Sequence, residues 1–201
     1  SQWAERLAQM DTVTNAASLS NQAQRYRHHA EQVKGSLQKF WNPERGYLYD
    51  GITPQDQPDS QVRPNAVLAL SLYHCGFPAH QARQVLQVAR TQLLTPYGLR
   101  SLEPSDPDYM GRYNGSPEHR DRAYHQGTVW SWLIGPFIRA WERFFPDPLP
   151  FDWQPMIDHL QHQACLGSVS EIFDGDPPHA PQGAIAQAWS VAELIRHWPK
   201  S

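Results

Sequence analysis

Glu171 is the carboxylate whose neighbours suit it to chemistry. It stands between Ser170 and the apolar pair Ile172-Phe173, in a stretch from 167 to 182 otherwise rich in turn formers. A carboxylate pressed against apolar side chains is partly desolvated, which fits general base or general acid work. The plain alternative is a surface carboxylate beside a hydrophobic anchor. A second concentration of function-bearing groups is Tyr124-His125-Gln126-Gly127-Thr128-Val129-Trp130-Ser131-Trp132, with aromatics, an imidazole, an amide and hydroxyls in nine residues. Aromatic faces beside hydrogen-bonding tips are what a sugar needs, because its C–H face stacks and its hydroxyls must be paired. The bland reading of this stretch is a core helix with an aromatic first turn.

Other candidates lie on polar loops: Arg63, Asn65, Arg100, Tyr113, Asp121 and Asp174. Arg63 and Arg100 each mark a junction between loop and element, where a guanidinium binds hydroxyls or, more commonly, pairs with a carboxylate. Asp174-Gly175-Asp176 is first of all a good turn. By spacing alone Trp130 and Trp189 read as core, and His125 as a structural histidine. Ten histidines occur without HxxxH or HExxH spacing, so no metal site is expected, and no cofactor is implied. No GxSxG supports a serine nucleophile.

Composition bounds the rest. The chain has 201 residues, enough for one domain over 1–201 or a large part of one. Its net charge of −3 and lack of a basic run make nucleic acid and anionic membranes poor partners. No apolar stretch or charged-then-apolar leader suggests a membrane span or signal peptide. Cys75 and Cys165 are isolated, as buried thiols of a reducing cytoplasm would be.

Helical periodicity supplies the elements that must position the candidates. Trp3, Leu7, Met10 and Val13 give a short first helix. Ser20 reads as the cap of a second, whose face is Ala23, Tyr26, Ala30, Val33, Leu37 and Phe40. Pro64 opens a buried helix to about Tyr73, and an outer, half-exposed one runs from about Ala79 to Leu94. The 124–132 stretch is read as the start of a helix through Leu133, Ile134, Phe137 and Ile138, kinked at Gly135-Pro136. Asp152 caps a helix carrying Met156, Ile157 and Leu160, and the last begins near Gly183. Alternating buried and amphipathic helices imply inner and outer pairs. Long loops at Asn42–Arg63, Thr95–Arg122 and Gly167–Gln182 would converge on one side, where such loops are more often functional than filler.

Several of these segments together resemble the C-terminal glucosidase domain of glycogen debranching enzymes. They are Phe40-Trp41-Asn42 with Gly46 to Asp50, Arg63-Pro64-Asn65, Leu93 to Leu102, Tyr109 to Tyr113, Arg120-Asp121 with Tyr124 to Trp130, Ser170 to Gly175, and Ala186 to Ser190. The likeness covers roughly residues 25 to 197, in the family's order. It implies an all-α, (α/α)6 toroid of the six-hairpin glycosidase kind, of which this chain would be the C-terminal half. It implies amylo-α-1,6-glucosidase activity on glycogen or a related α-glucan, with inversion and with Glu171 as general base. By the same resemblance Arg63, Asn65, Arg100, Tyr124, His125, Gln126 and Trp189 would line the glucose pocket, with Tyr113, Trp130 and Asp174 as further binding residues.

The departures are informative. The family's general acid is an aspartate in a Trp-Met-Asp-like segment, with no match before residue 25. Glu103, Asp108 and Asp121 are the substitutes to test. Ser131 stands where proline is expected, and Ala184 where cysteine is expected. The alternatives are therefore a non-catalytic, glucan-binding or partner-dependent half-barrel, or a trehalase-like hydrolase of the same fold. A half-barrel exposes inner faces, so self-association or pairing with an N-terminal half is expected.

Overall fold

A computed structural model describes residues 16–198; the expected first helix lies outside them. The chain divides into two compact units, residues 1–39 and 40–201. The described part of the first unit is one helix, α1 (Ala16–Leu37), leading into a 3-10 turn at Gln38–Phe40. Ser20 falls inside α1 and does not cap it; the alanines at 16 and 17 and Leu19 ahead of it are good helix formers. Of its expected apolar face Ala23 is buried, whereas Tyr26 and Val33 are more than half exposed.

The second unit is a set of helices with short strands between them. The helices are α2 (Asn65–Ser71), α3 (Ala79–Gln92), α4 (Pro117–Ala123), α5 (Ile134–Phe144), α6 (Gln154–His162) and α7 (Ala188–His197). α5 is the centre: α2, α3 and α7 all pack on it, and its Ile134, Phe137, Ile138 and Trp141 are buried in the core. α3 is amphipathic as expected, burying Ala82, Val85, Leu86 and Ala89. Two small hairpins, β1 (Trp41–Asn42) with β2 (Tyr47–Leu48) and β3 (Gly51–Ile52) with β4 (Pro58–Asp59), occupy the first long loop.

The all-α expectation needs correcting at the second and third long loops and at the 124–132 stretch between them. Strands β5 (Leu94–Thr95), β6 (Gly98–Arg100), β7 (Val129–Trp130), β8 (Ile172–Phe173) and β9 (Pro181–Gln182) form one antiparallel sheet in that order. Its register sets Leu99 opposite Trp130 and Trp130 opposite Ile172. The sheet is what brings the separate loops together. Each strand has two or three residues, too short for an alternating pattern to register in the sequence.

The 124–132 stretch is likewise not the start of a helix. Tyr124 closes α4, Gly127 takes φ +141°, β7 follows, and a 3-10 turn at Ser131–Leu133 leads into α5. That φ is open to glycine and closed to helix, and Thr128-Val129 are β-branched, which favours strand. Pro136 does not kink α5, since it falls in the first turn, where its missing N–H has no intrahelical partner to lose. α4 itself lies inside a segment expected to be loop. Ser116 caps it by accepting the His119 N–H, and Pro117 takes the first turn, a start signal visible in the sequence.

Candidate active site

A cleft of about 640 Å³ opens in the second unit, the size range of small-molecule sites. Of the expected binding residues, Arg63, Asn65, His125, Gln126, Trp130 and Trp189 line it. Asp50, Trp132 and Arg122 line it as well and were not expected to. Arg100, Tyr113, Tyr124, Glu171 and Asp174 are outside its lining.

One wall is aromatic. His125 lies flat on Trp130, with ring centres 5.1 Å apart and planes 3° from parallel. Trp132 stacks on Trp189 at 5.3 Å, and Trp189 meets Trp130 edge-on at 6.2 Å. Trp130 is buried as spacing suggested, but Trp189 is 48% exposed, so it forms a surface of the cleft and not core.

Arg63 anchors the polar part of the lining. Its Nε donates to Gln61 Oε1 at 2.9 Å, and Nη1 donates to the carbonyls of Ser101 at 3.1 Å and His125 at 2.7 Å. Nη2 donates to Gln126 Oε1. Four of its five N–H groups are thus spent on protein. Arg63 mainly ties the 124–126 turn to the start of α2, and Tyr47 fixes its backbone by donating to the Arg63 carbonyl at 2.7 Å.

Glu171 is held beside this cleft by the sheet. Its N–H donates to Ala184 O at 2.9 Å, and the Ala184 N–H returns a hydrogen bond to Glu171 Oε2 at 3.1 Å. Gln187 Nε2 donates to Oε1 at 3.2 Å. The Tyr124 phenol lies near this carboxylate; burial first, then Glu171, pushes the phenol up. Tyr124 packs in turn against both Trp130 and His125, with ring centres 4.9 Å away in each case. The base candidate is therefore half-buried, oriented by two donors, and neighboured by the tyrosine that packs on the aromatic wall. A glycine makes room for it. Gly183 has φ +69°, and a methyl there would lie 2.5 Å from Glu171 Oε2. Gly183→Ala is expected to cost about 1 kcal/mol in backbone strain and to push the carboxylate off its donors. A thermal melt and a structure of the variant check both effects.

Behind Glu171 the backbone is pinned by a buried imidazole. His159 Nε2 accepts the Ser170 N–H at 3.2 Å, so the ring proton sits on Nδ1, which faces Gln163 Oε1 at 3.1 Å. Burial holds the His159 imidazole below the ordinary histidine range, and does the same for His125, His179 and His197. The folded chain thus prefers neutral rings that the unfolded chain protonates near pH 6.5. Stability should be complete above that pH and fall as the pH drops below it. Melting temperatures at about pH 7.5 and about pH 5.5 test this, and equal values would contradict it.

Asp174, Arg100 and Tyr113 have other work in this structure. Asp174 is buried and accepts the Tyr113 N–H at 2.9 Å, with Arg112 Nη1 at 3.5 Å. Arg100 Nε donates to Gly175 O at 2.9 Å. Tyr109 donates to Asp176 Oδ1 at 3.0 Å. The 103–116 segment is thereby clamped to the 174–176 turn, and Tyr113 rests against Tyr124 at 5.8 Å. Of the substitute acids, Glu103 is buried on Arg45 at 2.7 Å, while Asp108 and Asp121 are exposed away from the lining. Among the described residues no cluster of His, Cys, Asp and Glu could hold a metal ion, and no helix is long and apolar enough to cross a membrane.

The model of the amylo-alpha-1,6-glucosidase family matches residues 2–196. The chain belongs to that family. It is 37% identical over 172 residues to the glycogen debranching enzyme of Saccharomyces cerevisiae, an alignment covering 74% of this chain and 11% of that protein. In fold it is similar to neutral trehalase of Saccharomyces cerevisiae, with a TM-score of 0.54 at 18% identity, over 85% of this chain and 30% of the trehalase. The chain thus spans a small part of the relatives it matches, and the glycosidase relation is one of family and fold.

Proposed function

We propose that this chain supplies the base-bearing part of an inverting α-1,6-glucosidase acting on branch points of glycogen or a related α-glucan, within an (α/α)6 toroid. The observation that carries the reading is the setting of Glu171. Its carboxylate is held by the Ala184 N–H and the Gln187 amide, with the Tyr124 phenol nearby, beside a cleft walled by Trp130, Trp132 and Trp189. A base so oriented activates a water on one face of the sugar, with the acid about 6.5–9.5 Å away across it. The stacked tryptophans suit the C–H face of glucose, and Asn65, Gln126 and His125 supply polar tips.

The general acid is proposed to lie on helices that complete the toroid. The exposed apolar side chains Ile185, Trp189, Ile195 and Trp198, on and beside α7, favour such a pairing, because large apolar side chains left in water call for cover. Pairing with the remaining half, or with a second copy, is expected, and light scattering at high concentration checks it; a clean monomer would count against it. The free thiols Cys75 and Cys165 fit a cytoplasmic setting. Glucose release from phosphorylase limit dextrin, compared with release from trehalose, tests the substrate class. Activity on trehalose alone would favour the trehalase-like alternative.

A further inference from the structure

The cleft holds one carboxylate that the reading above leaves without a task. Asp50 follows β2, and its N–H donates to Asp59 O at 2.9 Å, which fixes its backbone. Asn65 Nδ2 donates to Asp50 Oδ1 at 2.8 Å. The other oxygen, Oδ2, is 3.9 Å from Arg63 Nε, beyond hydrogen-bond reach, and that Nε already serves Gln61. The side chain is 18% exposed, and what it faces is the cleft. A fixed carboxylate with an unfilled acceptor stands beside Arg63, whose Nη2 keeps one N–H after serving Gln126. An acceptor and a donor so placed match a hydroxyl, which gives one hydrogen bond and takes another.

We propose that Asp50 is a specificity-determining residue of the cleft: its Oδ2 accepts a hydrogen bond from one hydroxyl of a bound glucose unit, with Asn65 holding the carboxylate in place. This rests on reading the cleft as a glucose pocket. Burial pushes the Asp50 carboxyl up, against the pull of Asn65 and Arg63, so the group is partly desolvated and a hydroxyl partner counts for more there than in water. The simpler role, a counter-charge for Arg63, leaves Oδ2 with nothing to accept and predicts no preference among hydroxyls.

The test uses the whole chain, with tryptophan fluorescence reporting from the cleft wall. The probes are D-glucose and its four deoxy analogues, lacking the hydroxyl at carbon 2, 3, 4 or 6. The wild type is expected to bind one analogue about 10- to 100-fold more weakly than glucose, the worth of a hydrogen bond to a charged group. Asp50→Asn is expected to bind glucose more weakly by a similar factor and to stop distinguishing that analogue. Asp50→Glu, which keeps the charge near Arg63 but displaces the oxygen, should behave alike, and it serves if the first variant does not fold. A wild type that treats the four analogues like glucose overturns the inference, as does a variant that weakens all five sugars equally or none. Failure of the wild type to bind glucose at all would instead remove the glucose-pocket reading, and the inference with it.

Discussion

Glu171→Gln is expected to lower glucose release from phosphorylase limit dextrin by about 10²- to 10⁴-fold, the usual contribution of a positioned general base. The amide is nearly isosteric with the carboxylate. It keeps one oxygen to accept from the Ala184 N–H, presents its NH2 to Gln187, whose side-chain amide can turn its oxygen to accept, and loses the ability to take a proton from water. Because the substitution changes neither size nor shape, affinity for the glucan should change little while turnover collapses. Tyr124 offers an internal control. Its phenol is near Glu171 and its ring packs on Trp130 and His125, so Tyr124→Phe should reduce turnover far less, by altering the surroundings of the base without removing it.

The second large effect is on stability. Gly175→Ala places a methyl 2.2 Å from the carbonyl oxygen of Gly127 and 2.5 Å from the Tyr109 hydroxyl. The first obstacle is backbone, which cannot rotate away. The 174–176 turn must then separate from the 124–132 segment, or the chain must strain. Overpacking of this kind costs about 1–3 kcal/mol, at about 2–4 °C in melting temperature per kcal/mol in a domain of this size. Gly51→Ala is the matched control, since nothing lies within 4 Å of a methyl there, and it should melt within a degree or so of the parent. Because Asp174 carries the Tyr113 N–H, Gly175→Ala should also loosen the aromatic support behind Tyr124 and Glu171. A melting temperature unchanged from wild type would show that the two segments are not in contact.

How far the sequence foretold this arrangement depends on the range of the interactions involved. α3 and the buried face of α2 follow the spacing of their apolar residues, because the face a helix turns to the core repeats every three to four residues within the helix itself. The five-stranded sheet does not, since its pairs such as Trp130 with Ile172 join residues far apart in the chain through strands of two residues. Gly127 and the β-branched pair after it are the local signals that the 124–132 stretch is not helix, whereas the apolar run from Leu133 to Ile138 that it leads into is helical. In the site, the cleft lining by Arg63, Asn65, His125, Gln126 and Trp189 was legible through family likeness. Asp50 was not, because Asp-Gly is an ordinary turn and only the fold turns that aspartate toward Asn65 and the cleft. Arg100 and Asp174 were drawn toward the site by the same likeness. The structure spends their charges on the loop clamp instead, at Gly175 O and the Tyr113 N–H.

The most direct test of the central claim is glucose release from phosphorylase limit dextrin by a chimera in which this chain replaces the matching segment of the yeast debranching enzyme. It is run beside the same chimera carrying Glu171→Gln, with glucan binding measured on both. The account predicts release by the parent and a fall of at least about a hundredfold in the variant at preserved binding. A variant that releases glucose as fast as its parent would contradict it.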